Sequence, residues 1–174
     1  MKMEPRRQYF IHDGLKLHYW EWGDANEETF VFVHGIRDQG RSWETFIGEL
    51  INKGLTIKHA VALDLRGHGD SEWPSMGRGY QHEDFLTDLA GLVKHLEKES
   101  LNIIGHSLGG SMCLLYAAAF PEKVKRLVLL ESLGPFARSD EEVPEIIAER
   151  LRGRDYVEIP FPLVSLVGAA KWLK

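Results

Sequence analysis

Runs of apolar residues alternate along the chain with stretches that repeat at helical spacing. The apolar runs predict six strands, at 8–12, 15–22, 29–34, 56–65, 101–104 and 126–131. The helical spacing predicts three helices between them, at 43–53, 82–98 and 108–120. Ser42 precedes the first helix as a capping residue and Gly54 follows it as a stop signal. Asp13 and Gly14 separate the first two strands, so these two strands are predicted to form an antiparallel hairpin.

This order of elements is typical of an α/β fold with a mostly parallel, doubly wound sheet, led here by the antiparallel hairpin. Ligands of such sheets bind at the carboxyl ends of the strands. Four segments fall at predicted strand ends: His34-Gly35-Ile36, 64–68, Ser107 and Glu131. We therefore expect one crevice at this edge of the sheet to hold the functional site.

The segment 102–112 (N-I-I-G-H-S-L-G-G-S-M) predicts a strand that runs into a sharp turn and then a helix, with Ser107 at the apex. A serine in this place needs a strained backbone, and Gly105 and Gly109 avoid collisions two residues to either side. The free N–H groups at the start of the helix favour negative charge that develops above the serine. Ser107 is the predicted nucleophile, and the alternative is a glycine-rich turn with an ordinary serine.

Composition and charge narrow the functional class. The chain is 44% hydrophobic and 27% charged, which is enough to build the core of one globular domain. The net charge of −5 and the scattered basic residues argue against a nucleic-acid partner, so we expect a small-molecule substrate without a cofactor or metal. The longest apolar run, 113–120, is too short to span a membrane. With one cysteine and no apolar run behind the N-terminal charges, a cytoplasmic location is expected.

Three segments together resemble the α/β-hydrolase fold superfamily, and its serine hydrolases and esterases in particular. They are F-V-F-V-H-G-I-R-D (30–38), D-L-R-G-H-G-D-S (64–71) and G-H-S-L-G-G (105–110). Their order and separation match the family, and the resemblance covers about 8–135. It implies hydrolysis of an ester or related carbonyl substrate through an acyl-enzyme.

The same resemblance implies roles for particular residues. Ser107 is the nucleophile, and the backbone N–H groups of Leu108 and Ile36 form the oxyanion hole. His34, Gly35 and His106 are neighbours of the pocket, with the two histidines structural rather than basic. His68 is expected to be a hydrogen-bonded loop residue.

The chain departs from the family where the catalytic base is expected. Family members present a serine, then an acid, then a histidine, whereas all eight histidines here precede Ser107. Glu131, at the end of the sixth strand, is a possible acid, although many relatives carry an acidic residue there without that role. A base could also come from His68 or from a partner subunit. The elbow serine distinguishes the chain from dehalogenases, which have an aspartate at this place.

The sequence beyond the core resembles the start of the helical cap that covers the pocket in the family. We expect a core at 1–135, with about six of the eight family strands, and an incomplete cap at 136–174 containing helices at 140–151 and 163–173. The strand at 126–131 then has an uncovered edge. The 163–173 segment, a second copy of the chain, or the remainder of a longer protein could cover it.

Two functions remain open at this point. In the first, the chain is the N-terminal portion of a serine hydrolase and has little or no activity by itself, because a serine without a base is a poor nucleophile. Alternatively, it is a non-catalytic binding or interaction protein that retains the hydrolase pocket.

Overall fold

Six strands form one sheet in the computed structural model, which describes residues 4–75 and 79–132. The strands are β1 (Arg6–His12), β2 (Leu15–Gly23), β3 (Thr29–Val33), β4 (His59–Leu63), β5 (Leu101–His106) and β6 (Val124–Leu130). The helices within the described ranges are α1 (Trp43–Asn52), α2 (His82–His95) and α3 (Leu108–Ala119). Short 3-10 turns at Gly40–Ser42 and Pro121–Lys123 precede α1 and β6.

The strand order is β1-β2-β4-β3-β5-β6. β1 and β2 form the predicted antiparallel hairpin, and β2 also pairs antiparallel with β4. The remaining pairs, β4–β3, β3–β5 and β5–β6, are parallel. The predicted α/β fold with its leading hairpin is therefore confirmed. After β3 the chain continues to β4 on one side of it and then to β5 on the other side. The carboxyl end of β3 is therefore the switch point, the place at which such sheets bind ligands.

Apolar side chains cover both faces of the sheet, which explains the continuous apolar runs. On one face, Val31 of β3 packs in a buried cluster with Leu89 of α2 and Met112 of α3. On the other face, Phe32 packs in a second cluster with Trp43 of α1. Adjacent β3 residues thus serve opposite faces, and the parallel part of the sheet is doubly wound.

Two helix ends differ from the sequence predictions. Ser42 does not cap α1 with its side chain, because its Oγ donates to the carbonyl of Gln39 at 2.7 Å and its backbone belongs to the preceding 3-10 turn. The helix predicted at 82–98 ends at His95, and Glu97 takes a φ of 53°, which helical residues do not adopt. Both differences are local, and neither changes the order of elements.

β6 lies at one edge of the sheet and extends from Val124 to Leu130, so Glu131 follows the strand. Val128 is 44% exposed, and Lys125 pairs with Glu28 beside β3. The association of two copies through this edge stays a prediction. The predicted cap at 136–174 and its two helices lie outside the described residues. No helix within the described part of the chain is long and apolar enough to cross a membrane.

Candidate active site

Ser107 occupies a strained turn between β5 and α3. Its φ of 51° and ψ of −119° lie outside the regions that non-glycine residues normally adopt. The Ser107 N–H donates to the carbonyl of Leu130 in β6 at 3.0 Å, and its carbonyl accepts the N–H of Ser111 at 3.1 Å. A conformation of this kind costs about 1–3 kcal/mol and persists only where the surroundings hold it. The turn is held from both sides, by the neighbouring strand and by the first turn of α3.

Glycines allow the start of α3 to pack closely against strands β5 and β3. A Cβ on Gly105 would lie 2.6 Å from Cα of Gly110 and 2.7 Å from Sγ of Cys113. A Cβ on Gly109 would lie closer than 3.0 Å to the carbonyl oxygen of Val33, at the end of β3. Side chains at these positions would push α3 away from the sheet. The glycine spacing in the sequence therefore has a direct steric cause.

The loop after β3 passes beside Ser107. A Cβ on Gly35 would lie 3.1 Å from Cβ of Ser107 and 3.0 Å from Nδ1 of His106. Ile36, the next residue, is 56% exposed, while Leu108 is the first residue of α3. The two backbone segments expected to supply the oxyanion hole thus flank Ser107. The catalytic roles themselves stay predictions.

His34 is a structural residue beneath this loop. It is fully buried; its Nδ1–H donates to the Gly35 carbonyl at 2.7 Å, and its Nε2 accepts the N–H of Leu65 at 3.1 Å. Burial lowers the pKa of His34, so the ring is neutral at pH 7. With both nitrogens occupied, His34 joins the ends of β3 and β4 and has no free nitrogen to act as a base.

His68 has an equivalent arrangement in the loop after β4. Its Nδ1–H donates to the carbonyl of Arg66 at 2.9 Å, and its Nε2 accepts the N–H of Arg37 at 3.2 Å. The expectation of a hydrogen-bonded loop residue is met. In this arrangement His68 ties the loop after β4 to the loop after β3 and is not poised to accept a proton from Ser107.

His106 and Glu131 form a loose pair next to the elbow. Nε2 of His106 lies 3.7 Å from a carboxylate oxygen of Glu131, whose side chain is 88% exposed. Glu131 has a φ of 49°, so the chain turns sharply where β6 ends. Within residues 4–75 and 79–132, Oγ of Ser107 has no hydrogen-bond partner. The other five histidines lie on β1, β2, β4 and α2, at positions 12, 18, 59, 82 and 95.

Asp64, at the end of β4, organises the loops around the site. Its buried carboxylate accepts the N–H of Gly40 at 2.5 Å, Nδ1–H of His18 at 2.7 Å and the N–H of Asp70 at 3.0 Å. Burial alone would raise the pKa of Asp64, but these hydrogen bonds outweigh it and hold the pKa below its ordinary value. The sequence marked the segment that contains Asp64 but gave no signal for its partner His18, which lies 46 positions away.

His18, Asp64 and Asp70 also come close enough together to be considered as metal ligands. Ligand atoms of His18, Asp64 and Asp70 lie within 4.8 Å of one another. However, His18 and two backbone N–H groups already occupy the Asp64 carboxylate, and Arg7 forms an ion pair with Asp70. The arrangement acts as a hydrogen-bonded anchor for the loop.

Arg66 and Asp88 form a second anchor, between the loop after β4 and helix α2. Both side chains are buried, and the guanidinium donates to Asp88 through Nη2 at 2.6 Å and Nε at 2.9 Å. Burial lowers the pKa of Arg66, but the hydrogen bonds and charge of Asp88 outweigh it and raise that pKa. Burial raises the pKa of Asp88, and Arg66 opposes that rise. The two-point geometry favours the charged pair.

The sheet order, the elbow and the flanking loops agree with a family match over residues 28–162, to the alpha/beta hydrolase fold model. The chain belongs to the alpha/beta hydrolase fold family. A candidate 2-succinyl-6-hydroxy-2,4-cyclohexadiene-1-carboxylate synthase of Bacillus subtilis (strain 168) is 30% identical over 84% of this chain and 52% of its own length. Epoxide hydrolase 3 of Xenopus tropicalis is 31% identical over 73% of this chain and 34% of its own.

Solved structures of family members show the same architecture. The thioesterase domain from the curacin biosynthetic pathway superposes with a TM-score of 0.72 at 26% identity, covering 87% of this chain and 55% of that one. Epoxide hydrolase VrEH1 from Vigna radiata gives a TM-score of 0.68 at 29% identity, covering 90% and 48%. The chain described here therefore spans about half, or less, of the length of these relatives. Two of these four relatives are named as epoxide hydrolases, one as a thioesterase domain and one as a synthase.

Proposed function

We propose that this chain is the nucleophile-bearing portion of a serine hydrolase that cleaves an ester or related carbonyl substrate. The observation that carries the proposal is the strained backbone of Ser107, at φ 51° and ψ −119°, directly before helix α3. A folded chain retains such strain where the geometry serves a purpose. Two further features support the proposal: the glycine-lined approach of the loop at Gly35 and the absence of a hydrogen-bond partner for Oγ of Ser107 in the described residues.

In the proposed reaction, Oγ of Ser107 attacks the carbonyl carbon and forms a C–O bond. The carbonyl oxygen gains negative charge and is stabilised by the backbone N–H groups of Ile36 and Leu108. The alcohol then leaves with the serine proton, and water hydrolyses the acyl-serine to return the enzyme and an acid. Both proton transfers need a base, and in the described residues no histidine is hydrogen-bonded to Oγ. Without one, we expect only the residual acceleration over water that binding and the oxyanion hole give, roughly 10³–10⁴-fold.

A second candidate function is a non-catalytic binding protein that keeps the hydrolase pocket. The hydrogen bonding of the histidines favours it. Both ring nitrogens of His34 and of His68 are occupied by backbone groups. Nε2 of His106 lies 3.7 Å from a carboxylate oxygen of Glu131, and in the described residues His106 makes no hydrogen bond to Oγ of Ser107.

Acyl-enzyme formation from p-nitrophenyl butyrate tests the first function. The wild-type chain should release p-nitrophenol faster than buffer and gain the mass of one butyryl group on the peptide that contains Ser107. Ser107→Ala should lose both signals. Ser111→Ala, a serine one helical turn further along α3, is the matched control and should keep them. Release equal in wild type and Ser107→Ala, with both folded, would favour the binding protein.

A further inference from the structure

Two histidines join the loop after β3 to the loop after β4 in a reciprocal way. His34, which follows β3, accepts the N–H of Leu65 in the second loop at 3.1 Å. His68, in that second loop, accepts the N–H of Arg37 in the first loop at 3.2 Å. The two rings lie side by side, with their centroids 5.1 Å apart. We refer to His34 and His68 together as the histidine clamp.

The hydrogen bonds of the clamp allow one protonation state and one tautomer of each ring. A backbone carbonyl only accepts, so Nδ1 of His34 carries a hydrogen toward Gly35 at 2.7 Å, and Nδ1 of His68 carries one toward Arg66 at 2.9 Å. A backbone N–H only donates, so each Nε2 carries no hydrogen. Both rings are therefore neutral. Burial, which lowers the pKa of His34, favours the same state.

Ile36 lies between the two peptide groups that the clamp holds. His34 donates to the carbonyl of Gly35, in the peptide before Ile36. His68 accepts the N–H of Arg37, in the peptide after Ile36. The C=O and N–H of a trans peptide point in opposite directions. A fixed Gly35 carbonyl therefore fixes the direction of the Ile36 N–H, and His68 prevents the following peptide from turning.

The backbone of this loop is strained at Arg37 and needs such support. Arg37 has a φ of 63°, in the left-handed region that residues with side chains seldom adopt. The hydrogen bond within the turn, from the N–H of Asp38 to the carbonyl of Gly35, is long at 3.3 Å. His68 binds the N–H of the strained residue itself. Strain of this kind persists where the surrounding structure holds it.

The N–H of Ile36 is available to a substrate oxygen. Ile36 is 56% exposed, and no hydrogen bond joins its N–H to a described residue. Gly35 brings this part of the loop beside the candidate nucleophile, since a Cβ on Gly35 would lie 3.1 Å from Cβ of Ser107. A donor that is already held in one direction needs no reorganisation when negative charge develops on the carbonyl oxygen of a substrate.

We propose that His68 is a positioning residue for the oxyanion hole and that, with His34, it sets the direction of the Ile36 N–H. Neither histidine contacts the substrate or takes the proton of Ser107, and His68 acts through the peptide between Ile36 and Arg37. The proposal rests on the oxyanion role proposed above for Ile36. The clamp itself can be measured without a reaction.

NMR spectroscopy of the full chain at pH 8 tests the clamp directly. Long-range ¹H–¹⁵N spectra should show the hydrogen of both rings on Nδ1. His68→Phe keeps a ring beside His34 and Phe85 but removes the acceptor. The amide of Arg37 should then exchange with solvent about three- to tenfold faster, as expected for one lost hydrogen bond. A hydrogen on Nε2 of His68, or unchanged exchange in a folded His68→Phe chain, would overturn the proposal.

The reaction provides the second readout, with thermal unfolding as the check on folding. His68→Phe should slow p-nitrophenol release from saturating p-nitrophenyl butyrate about tenfold or more, because removal of a whole oxyanion donor costs about 10²–10³-fold. KM should change little, because the lost interaction belongs to the transition state. His68→Gln places an amide oxygen near the position of Nε2 and should restore the rate to within about threefold. His82→Gln changes an exposed histidine at the start of α2 and is the matched control.

The outcomes separate this proposal from the proposed hydrolase function. A folded His68→Phe chain with the wild-type rate, or with a change in KM alone, would overturn the positioning role. Equal release by wild type and Ser107→Ala would refute the hydrolase function instead. The tautomer and the exchange rates would then decide the clamp, since neither measurement needs a reaction.

Discussion

Replacing Gly109 with alanine tests the close packing of α3 against the sheet. Gly109 lies in the first turn of α3 and has an ordinary helical φ, so alanine strains no backbone angle. The added Cβ would, however, approach the carbonyl oxygens of Val33 and His34 closer than 3.0 Å, and these backbone atoms cannot rotate away. Overpacking of this kind costs about 1–3 kcal/mol. The gain from replacing a helical glycine with alanine, about 0.5–1 kcal/mol, offsets only part of it.

Gly48→Ala is the matched control for this change. Gly48 also lies inside a helix, α1, but a Cβ there would have no neighbour within 4 Å. The two substitutions share the same effect on helix propensity and on the unfolded chain, so their difference isolates the contact with β3.

Urea and thermal unfolding of the two variants measure that difference. We expect Gly48→Ala to be neutral or slightly stabilised and Gly109→Ala to be less stable than it by about 1–3 kcal/mol. For a chain of this size, each kcal/mol lowers Tm by about 2–4 °C. Gly109→Ala should also slow any reaction at Ser107, because α3 carries the adjacent N–H of Leu108. Unfolding free energies equal to within about 0.5 kcal/mol would refute the steric argument.

Three further predictions concern the groups around the site. The pKa of Asp64 is below its ordinary value, so the stability that its charge contributes is fully present above the unfolded-state pKa of about 3.9 and is lost as pH falls through the lower folded pKa. Urea midpoints measured from pH 2 to 7 should therefore fall less steeply at the acid end for Asp64→Asn than for wild type. Parallel curves would contradict this prediction. Arg66→Gln should lower the free energy of unfolding, measured in urea, by about 3–5 kcal/mol because it leaves the buried carboxylate of Asp88 unpaired. The double variant with Asp88→Asn should recover part of the loss. A loss under about 1 kcal/mol would show that the ion pair contributes little to stability. Gly35→Ala should reduce the reaction rate at Ser107 about tenfold or more, with a smaller effect on stability, since its Cβ enters the space beside the serine; an unchanged rate would place the reacting groups elsewhere.

The sequence predicted the architecture well because the fold is encoded in local patterns. Apolar runs such as 29–34 become strands buried on both faces, and Asp13 with Gly14 forms the hairpin turn, with φ values of 49° and 76°. The turn at Ser107 was also predictable, because glycine spacing reports where backbones must approach closely. The ends of the elements were predicted less accurately. The hydroxyl of Ser42, for example, donates to the carbonyl of Gln39 and does not cap helix α1.

The polar anchors could not be predicted, since nothing local specifies the partner of a buried charge. His18 and Asp64 are 46 positions apart, and Arg66 and Asp88 are 22 apart. Each pair forms only because the sheet and α2 bring distant segments together. The sequence also identified no catalytic base. No histidine follows His106 in the sequence, and within the described residues none is hydrogen-bonded to Oγ of Ser107.

Covalent labelling of the chain with a fluorophosphonate tests the central claim most directly. Oγ of Ser107 would form a bond to phosphorus as fluoride leaves, with the proton passing to solvent. Because no base is hydrogen-bonded to Oγ in the described residues, we predict slow labelling that reaches at most one adduct per chain by intact mass. The adduct should lie on the Ser107 peptide, be absent from Ser107→Ala and be retained by Ser111→Ala. A folded wild-type chain that gains no adduct, or a Ser107→Ala variant that labels equally, would contradict the assignment of Ser107 as a nucleophile.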